Sequence, residues 1–146
     1  MEHVRNHTRL QFDARTENVG LARMTVMAFM SEMNPTLEQI EDVKVAVSEA
    51  VTNAIVHGYQ EETKQVILQC NREDEKLQIE IIDEGIGIEN IERARQPFFT
   101  TKKESNRTGM GFAFMELFMD GLVVESKPGK GTRILMEKYI KGDNAE

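Results

Sequence analysis

The sequence predicts an α+β fold of two layers, with helices on one face of a mixed, mostly antiparallel sheet. Three observations carry this expectation. Apolar residues recur at helical spacing in the first third of the chain, they alternate with period two from Val66 onward, and the strand-helix-strand rhythm of a doubly wound parallel sheet is missing. The 146 residues, 40% apolar and 29% charged, are enough for one domain with a sizeable core. No repeat, low-complexity tract or linker interrupts them, so residues 1–146 are expected to form a single domain, with a frayed tail from about Gly142.

In order along the chain, Leu10 and Phe12 alternate with Arg9, Gln11 and Asp13, which predicts a short first strand. Val19, Ala22, Val26, Phe29, Met30 and Met33 then fall at helical spacing. Asn34-Pro35 ends that helix, because the residue before a proline is forced out of the α region. Thr36-Leu-Glu-Gln39 reads as a capping box opening a second helix, whose stripe of Ile40, Val43, Val47, Ala50, Val51 and Ala54 runs to a C-terminal glycine, Gly58. Val66, Leu68 and Cys70, then Leu77, Ile79 and Ile81, predict a hairpin turning near Glu73-Asp74. After Asp83 come a glycine turn, a short helical piece from Ile91 to Arg95, and an aperiodic stretch, about 96–108, expected to be a flexible lid. Gly109-Met-Gly111 opens a third helix, Phe112 to Met119. Strands Leu122 to Ser126 and Thr132 to Lys138 flank a turn at Lys127 to Gly131. The nine methionines read as core gap-fillers.

Composition excludes several function classes. One cysteine, Cys70, cannot make an internal disulfide framework, and the first thirty residues are charged without an apolar signal region, so the chain reads as cytoplasmic. No run approaches the ~18 consecutive apolar residues of a membrane span. With 18 basic against 25 acidic residues the formal charge is −7, which argues against direct nucleic-acid binding. The charge is uneven, however: Arg93 to Arg107 carries +4 and the remainder −11. That positive segment is either a solvated loop or a lid over a polyanion.

Four short patterns could carry chemistry. Glu49 and Asn53, four residues apart, share one helix face flanked by Val45, Ala46 and Val56; they are either simply exposed or serve something polar and cationic, such as hydrated Mg²⁺. Asp83-Glu-Gly85-Ile-Gly87 follows a strand and places one carboxylate where glycines let backbone approach a flat ligand such as adenine, although an ordinary tight turn reads equally well. It is no dinucleotide fingerprint, which would need a glycine at Asn90. Gly109-Met110-Gly111 leads into a helix N-terminus behind Lys102, Arg107 and Thr108, an arrangement suited to phosphate. Gly129-Lys-Gly131-Thr132 alone is a hairpin turn.

Taken together and in this order, the four patterns resemble the N, G1, G2 and G3 boxes of the GHKL ATPase and kinase superfamily. Ser48-Glu-Ala-Val-Thr-Asn-Ala-Ile-Val-His-Gly58, Arg95-Gln-Pro-Phe-Phe-Thr-Thr-Lys102 and Thr108-Gly-Met-Gly-Phe112 resemble the anti-sigma-F factors, the SpoIIAB-type serine kinases of endospore-forming bacteria. The resemblance implies a Bergerat ATP-binding sandwich that takes ATP or ADP. Asn53 would hold Mg²⁺, Asp83 the adenine amino group with Thr132 assisting, and Gly109, Met110, Gly111 and Phe112 the phosphates with Lys102, Arg107 and Thr108. Glu49 would be the catalytic base, and His57 would line the pocket or cap its helix. The resemblance also implies a homodimer through the first strand and helix, a sigma-F partner, a SpoIIAA-type anti-anti-sigma substrate, and Arg23 as a partner contact. Two alternatives share the boxes. A histidine-kinase ATPase domain would need a phosphoacceptor, which neither His3 nor His7 supplies from a helical dimerisation pattern. A passive anti-sigma module would have no use for Glu49.

Overall fold

The period-two segments become a five-stranded sheet in the computed structural model, which describes residues 3–58, 64–85, 87–88, 91–95 and 111–141. Strands β1 (Arg5–Asp13), β2 (Gln65–Glu73), β3 (Lys76–Asp83), β4 (Gly121–Ser126) and β5 (Thr132–Tyr139) lie in the order β1-β2-β3-β5-β4. Each of these pairings is antiparallel, which bears out the mostly antiparallel sheet with helices packed on it; no parallel pairing occurs among the described residues. The reason is topological: β4 runs in the same direction as β3, but β5 folds back between them and keeps them from pairing.

Alternate residues of the central strands face the helices. Leu68, Cys70, Leu77, Ile79, Ile81, Ile134 and Met136 are buried there. Burial pushes the Cys70 thiol up to about 12, which leaves it an inert packing group. The opposite face is a polar lattice across all five strands, in which Gln69 bonds His7 at 2.9 Å and Glu80 at 3.1 Å, and Arg133 bridges Glu80 and Glu125.

Helix α1 (Val19–Met30) tightens into a 3-10 turn, Ser31–Met33, and stops at Asn34. Asn34 leaves the right-handed region as the following proline demands, settling at φ 54° and ψ 55°, a conformation asparagine tolerates. The capping box forms as expected: Gln39 N–H donates to Thr36 Oγ1 at 3.1 Å and Thr36 N–H to Gln39 Oε1 at 2.9 Å. The helix it opens, α2 (Leu37–Asn53), does not continue as α-helix to Gly58. It widens into a π turn, Ala54–Gly58, that packs against β3.

The short α3 (Ile91–Ala94) precedes α4 (Gly111–Phe118), which packs on α2. The nearly buried Lys138 ties α4 and α2 together: its ammonium donates to Asp42 Oδ2 at 3.2 Å and to the Phe118 carbonyl. The end of α4 therefore sits by the beginning of α2.

Candidate functional site

At one end of the sheet the apolar floor stops in a polar row. Ser126, Thr132 and Asp83 are direct cross-strand neighbours on β4, β5 and β3, immediately beyond the apolar row of Val124, Ile134 and Ile81. Asp83 is only 5% exposed and Thr132 8%. Gly85 N–H donates to Asp83 Oδ1 at 2.9 Å, and Thr132 N–H donates to the same carboxylate. Burial pushes the Asp83 carboxyl up to about 6 despite these two donors, and among the described residues no cation pairs with it. Such a carboxylate gains from a further hydrogen-bond donor. A flat heterocycle with an exocyclic amine meets both the polar row and the apolar floor.

Glycine is required where two loops interlock beside this row. Gly87 has φ +78°, and a Cβ there would stand 2.1 Å from the Lys127 carbonyl oxygen. Gly131, at φ +84°, would put a Cβ 2.1 Å from the Asp83 carbonyl oxygen. The loop after β3 and the turn between β4 and β5 thus close on each other through backbone contact. Ser126 Oγ joins them, accepting from Ile88 N–H at 2.8 Å and donating to the Gly131 carbonyl at 2.8 Å. Gly87→Ala is expected to cost at least about 1–2 kcal/mol from the left-handed backbone alone. Denaturant unfolding with an unchanged m-value checks this.

Glu49 and Asn53 are both half-buried on α2, which removes the simply exposed reading. The π turn that follows them lies on β3, the strand that ends in Asp83. His57 belongs to that turn. Gly111 and Phe112 are buried at the first turn of α4, the helix that packs on α2. Lys102, Arg107, Thr108, Gly109 and Met110 lie outside the described residues, as does the lid segment 96–108. Arg23 is half-buried rather than freely solvated: its guanidinium donates to Ser48 Oγ at 3.3 Å, one residue before Glu49. Arg95, counted in the positive segment, is held by Glu116 of α4.

The histidine kinase-like ATPase domain family matches residues 12–138. A Clostridium acetobutylicum protein named anti-sigma F factor is 54% identical over 135 residues, spanning 92% of this chain and 94% of its own. Another of that name, from Geobacillus thermodenitrificans, is 48% identical over 143 residues, spanning 97% and 98%. The chain belongs to the anti-sigma F factor family of histidine kinase-like ATPases. Among solved structures, the RsbU and RsbW domains of a Mycobacterium tuberculosis protein align with a TM-score of 0.68 at 18% identity, over 92% of this chain and 32% of that one. The catalytic domain of the histidine kinase ThkA aligns with a TM-score of 0.59 at 16% identity, over 91% and 96%. These structures establish a shared fold, the GHKL-type sandwich.

Within this anti-sigma F factor family member, the structure brings Asp83, Gly85, Gly87 and Thr132 together, while Glu49 and Asn53 lie on α2, whose π turn packs on β3. The residue that sequence reasoning missed is Ser126. Its signal was present only as register: it is the last inward-facing position of β4, directly opposite Thr132.

Proposed function

We propose that this chain is an ATP-dependent protein serine kinase and anti-sigma factor, acting as one domain over residues 1–146. It would hold a sigma-F-type factor away from core RNA polymerase and phosphorylate a serine of a SpoIIAA-type anti-anti-sigma protein, in the cytoplasm, as a regulator of sporulation. The observation that carries the reading is the buried Asp83 carboxylate, paired with no cation among the described residues and set beside Thr132 over an apolar floor. That donor-seeking edge fits the amino group of adenine, and the glycine cradle fits a flat ring.

The residues present fit the nucleotide. Asn53, half-buried at the end of α2, would hold Mg²⁺ through its amide oxygen. Gly111 N–H and the N-terminal dipole of α4 would meet the phosphates, with Gly109, Met110, Phe112, Thr108, Lys102 and Arg107 proposed to complete that side and His57 to line the pocket. Bound ATP supplies the phosphoryl group, and Mg²⁺ neutralises charge on it. The chain's own part in the chemistry is positional: the Glu49 carboxylate takes the proton of the incoming serine hydroxyl as its oxygen attacks.

Partner binding draws on other surfaces. β1 is an edge strand, and Leu21 and Met24 of α1 are 49% and 67% exposed, which supports a homodimer through that strand and helix. The acidic remainder of the chain suits a basic sigma surface, and Arg23 is proposed as a partner contact. Arg23→Glu is expected to lose both sigma-F and SpoIIAA-type partners in a pull-down while ATP binding persists. Retention of both would remove Arg23 from the interface. A histidine-kinase role is disfavoured, because His3 is bonded to Asp74 and His7 lies on strand β1, neither on a dimerisation helix. Among the described residues no helix is long and apolar enough to cross a membrane.

Calorimetric titration with ATP tests the nucleotide reading. The expected result is magnesium-dependent binding of one ATP per chain, lost in Asn53→Ala. Failure of the wild-type protein to bind any adenine nucleotide would overturn it.

A further inference from the structure

We propose that Ser126 is a positioning residue that sets the base preference of this site by fixing the direction of the Thr132 hydroxyl. The inference rests on the nucleotide reading above and goes beyond it, since Ser126 itself touches no ligand in that reading.

The argument is a count of hydrogens. A serine hydroxyl has one hydrogen to give and two lone pairs to receive. The Gly131 carbonyl, 2.8 Å from Ser126 Oγ, can only accept, so it takes that hydrogen. Ile88 N–H, also at 2.8 Å, can only donate, so it fills one lone pair. Thr132 Oγ1 stands 2.8 Å away and is left a single role, donating its own hydrogen into the second lone pair. Thr132 then has no hydrogen left for the site. It turns only lone pairs toward a ligand.

Asp83, the direct neighbour of Thr132 across β3 and β5, offers carboxylate lone pairs on the same edge. Two acceptors side by side match a group that donates hydrogens, such as the exocyclic amine at position 6 of adenine. A base with a carbonyl at that position sets lone pair against lone pair in a nearly buried site, and a site built this way rejects the wrong partner strongly. Removing the Ser126 oxygen frees the Thr132 hydroxyl to rotate and donate. The carbonyl base is then tolerated.

The test compares dissociation constants of ATP and inosine triphosphate, which differ at that edge, with magnesium present. Wild-type protein is expected to prefer ATP by at least about 100-fold. Ser126→Ala is expected to narrow the ratio by about five- to tenfold, and Ser126→Thr, which keeps the hydroxyl, to restore it. Thr132→Val removes the acceptor without touching the Ile88 contact and is expected to narrow the ratio as well. It also decides the matter if Ser126→Ala does not fold. Equal weakening of both nucleotides in Ser126→Ala, or an unchanged ratio in Thr132→Val, would overturn the role of Ser126 while leaving the ATP site intact. A wild-type protein that binds neither nucleotide would overturn the site reading and this inference with it.

Discussion

Asp83→Asn is expected to weaken ATP binding roughly 10- to 100-fold, the worth of a hydrogen bond to a charged group, and at the same time to raise the melting temperature of the nucleotide-free protein. The two effects have one cause. The Asp83 carboxyl moves from 3.8 up to about 6 on folding because burial penalises its charge. A carboxyl raised in this way leaves stability intact below its unfolded value and withdraws it as pH climbs from about 4 to 6. At pH 7 the full penalty applies, on the order of 3 kcal/mol for a shift of about two units. Asparagine removes the charge but serves the Gly85 and Thr132 donors less well, so a net gain of about 1–2 kcal/mol is expected, or roughly 2–8 °C for a chain of this size. Scanning calorimetry should find the variant less stable than wild type by about 1–2 kcal/mol below pH 4, where there is no charge to remove, and the order reversed by pH 7. Wild-type affinity for ATP should fall as pH drops through about 6 and Asp83 takes up a proton. A variant less stable than wild type at pH 7 would contradict the account of Asp83 as an uncompensated buried charge.

Glu49→Ala carries the other large effect. General-base assistance is worth about 10²–10⁴-fold, so phosphoryl transfer should fall by that factor while ATP binding changes little. Asn53→Ala, one helical turn away, should instead lose magnesium-dependent binding itself. Single-turnover transfer measured beside calorimetric binding separates the two. Equal loss of binding in both variants would mean that Glu49 and Asn53 form one metal site, and an unchanged transfer rate in Glu49→Ala would remove it as the base.

What the sequence made legible was local. The capping box of Thr36 and Gln39 and the break at Asn34-Pro35 are chemistry between near neighbours, and both appear where they were expected. The strand order was not legible, because the insertion of β5 between β3 and β4 is decided by contacts far apart in sequence. Nor was the π turn at the end of α2, since Ala54, Ile55 and Val56 prolong the apolar pattern whichever way the last turn is wound. At the candidate site, Asp83 and its glycines stood out because carboxylate and flexible backbone follow a strand directly. Ser126 did not, because a serine at a strand end is unremarkable until register sets it against Thr132 and the Ile88 amide. Arg23 entered only as a partner contact implied by the resemblance, and its bond to Ser48 depends on how α1 packs on α2.

The most direct measurement is transfer of the labelled γ-phosphate of ATP, with magnesium, to a purified SpoIIAA-type protein. Phosphoserine should form on that protein with the wild-type chain and fall by about 10²-fold or more with Glu49→Ala, while both chains bind ATP. A wild-type chain that binds ATP and sigma-F but leaves the SpoIIAA-type serine unmodified would contradict the kinase reading and leave a passive anti-sigma module.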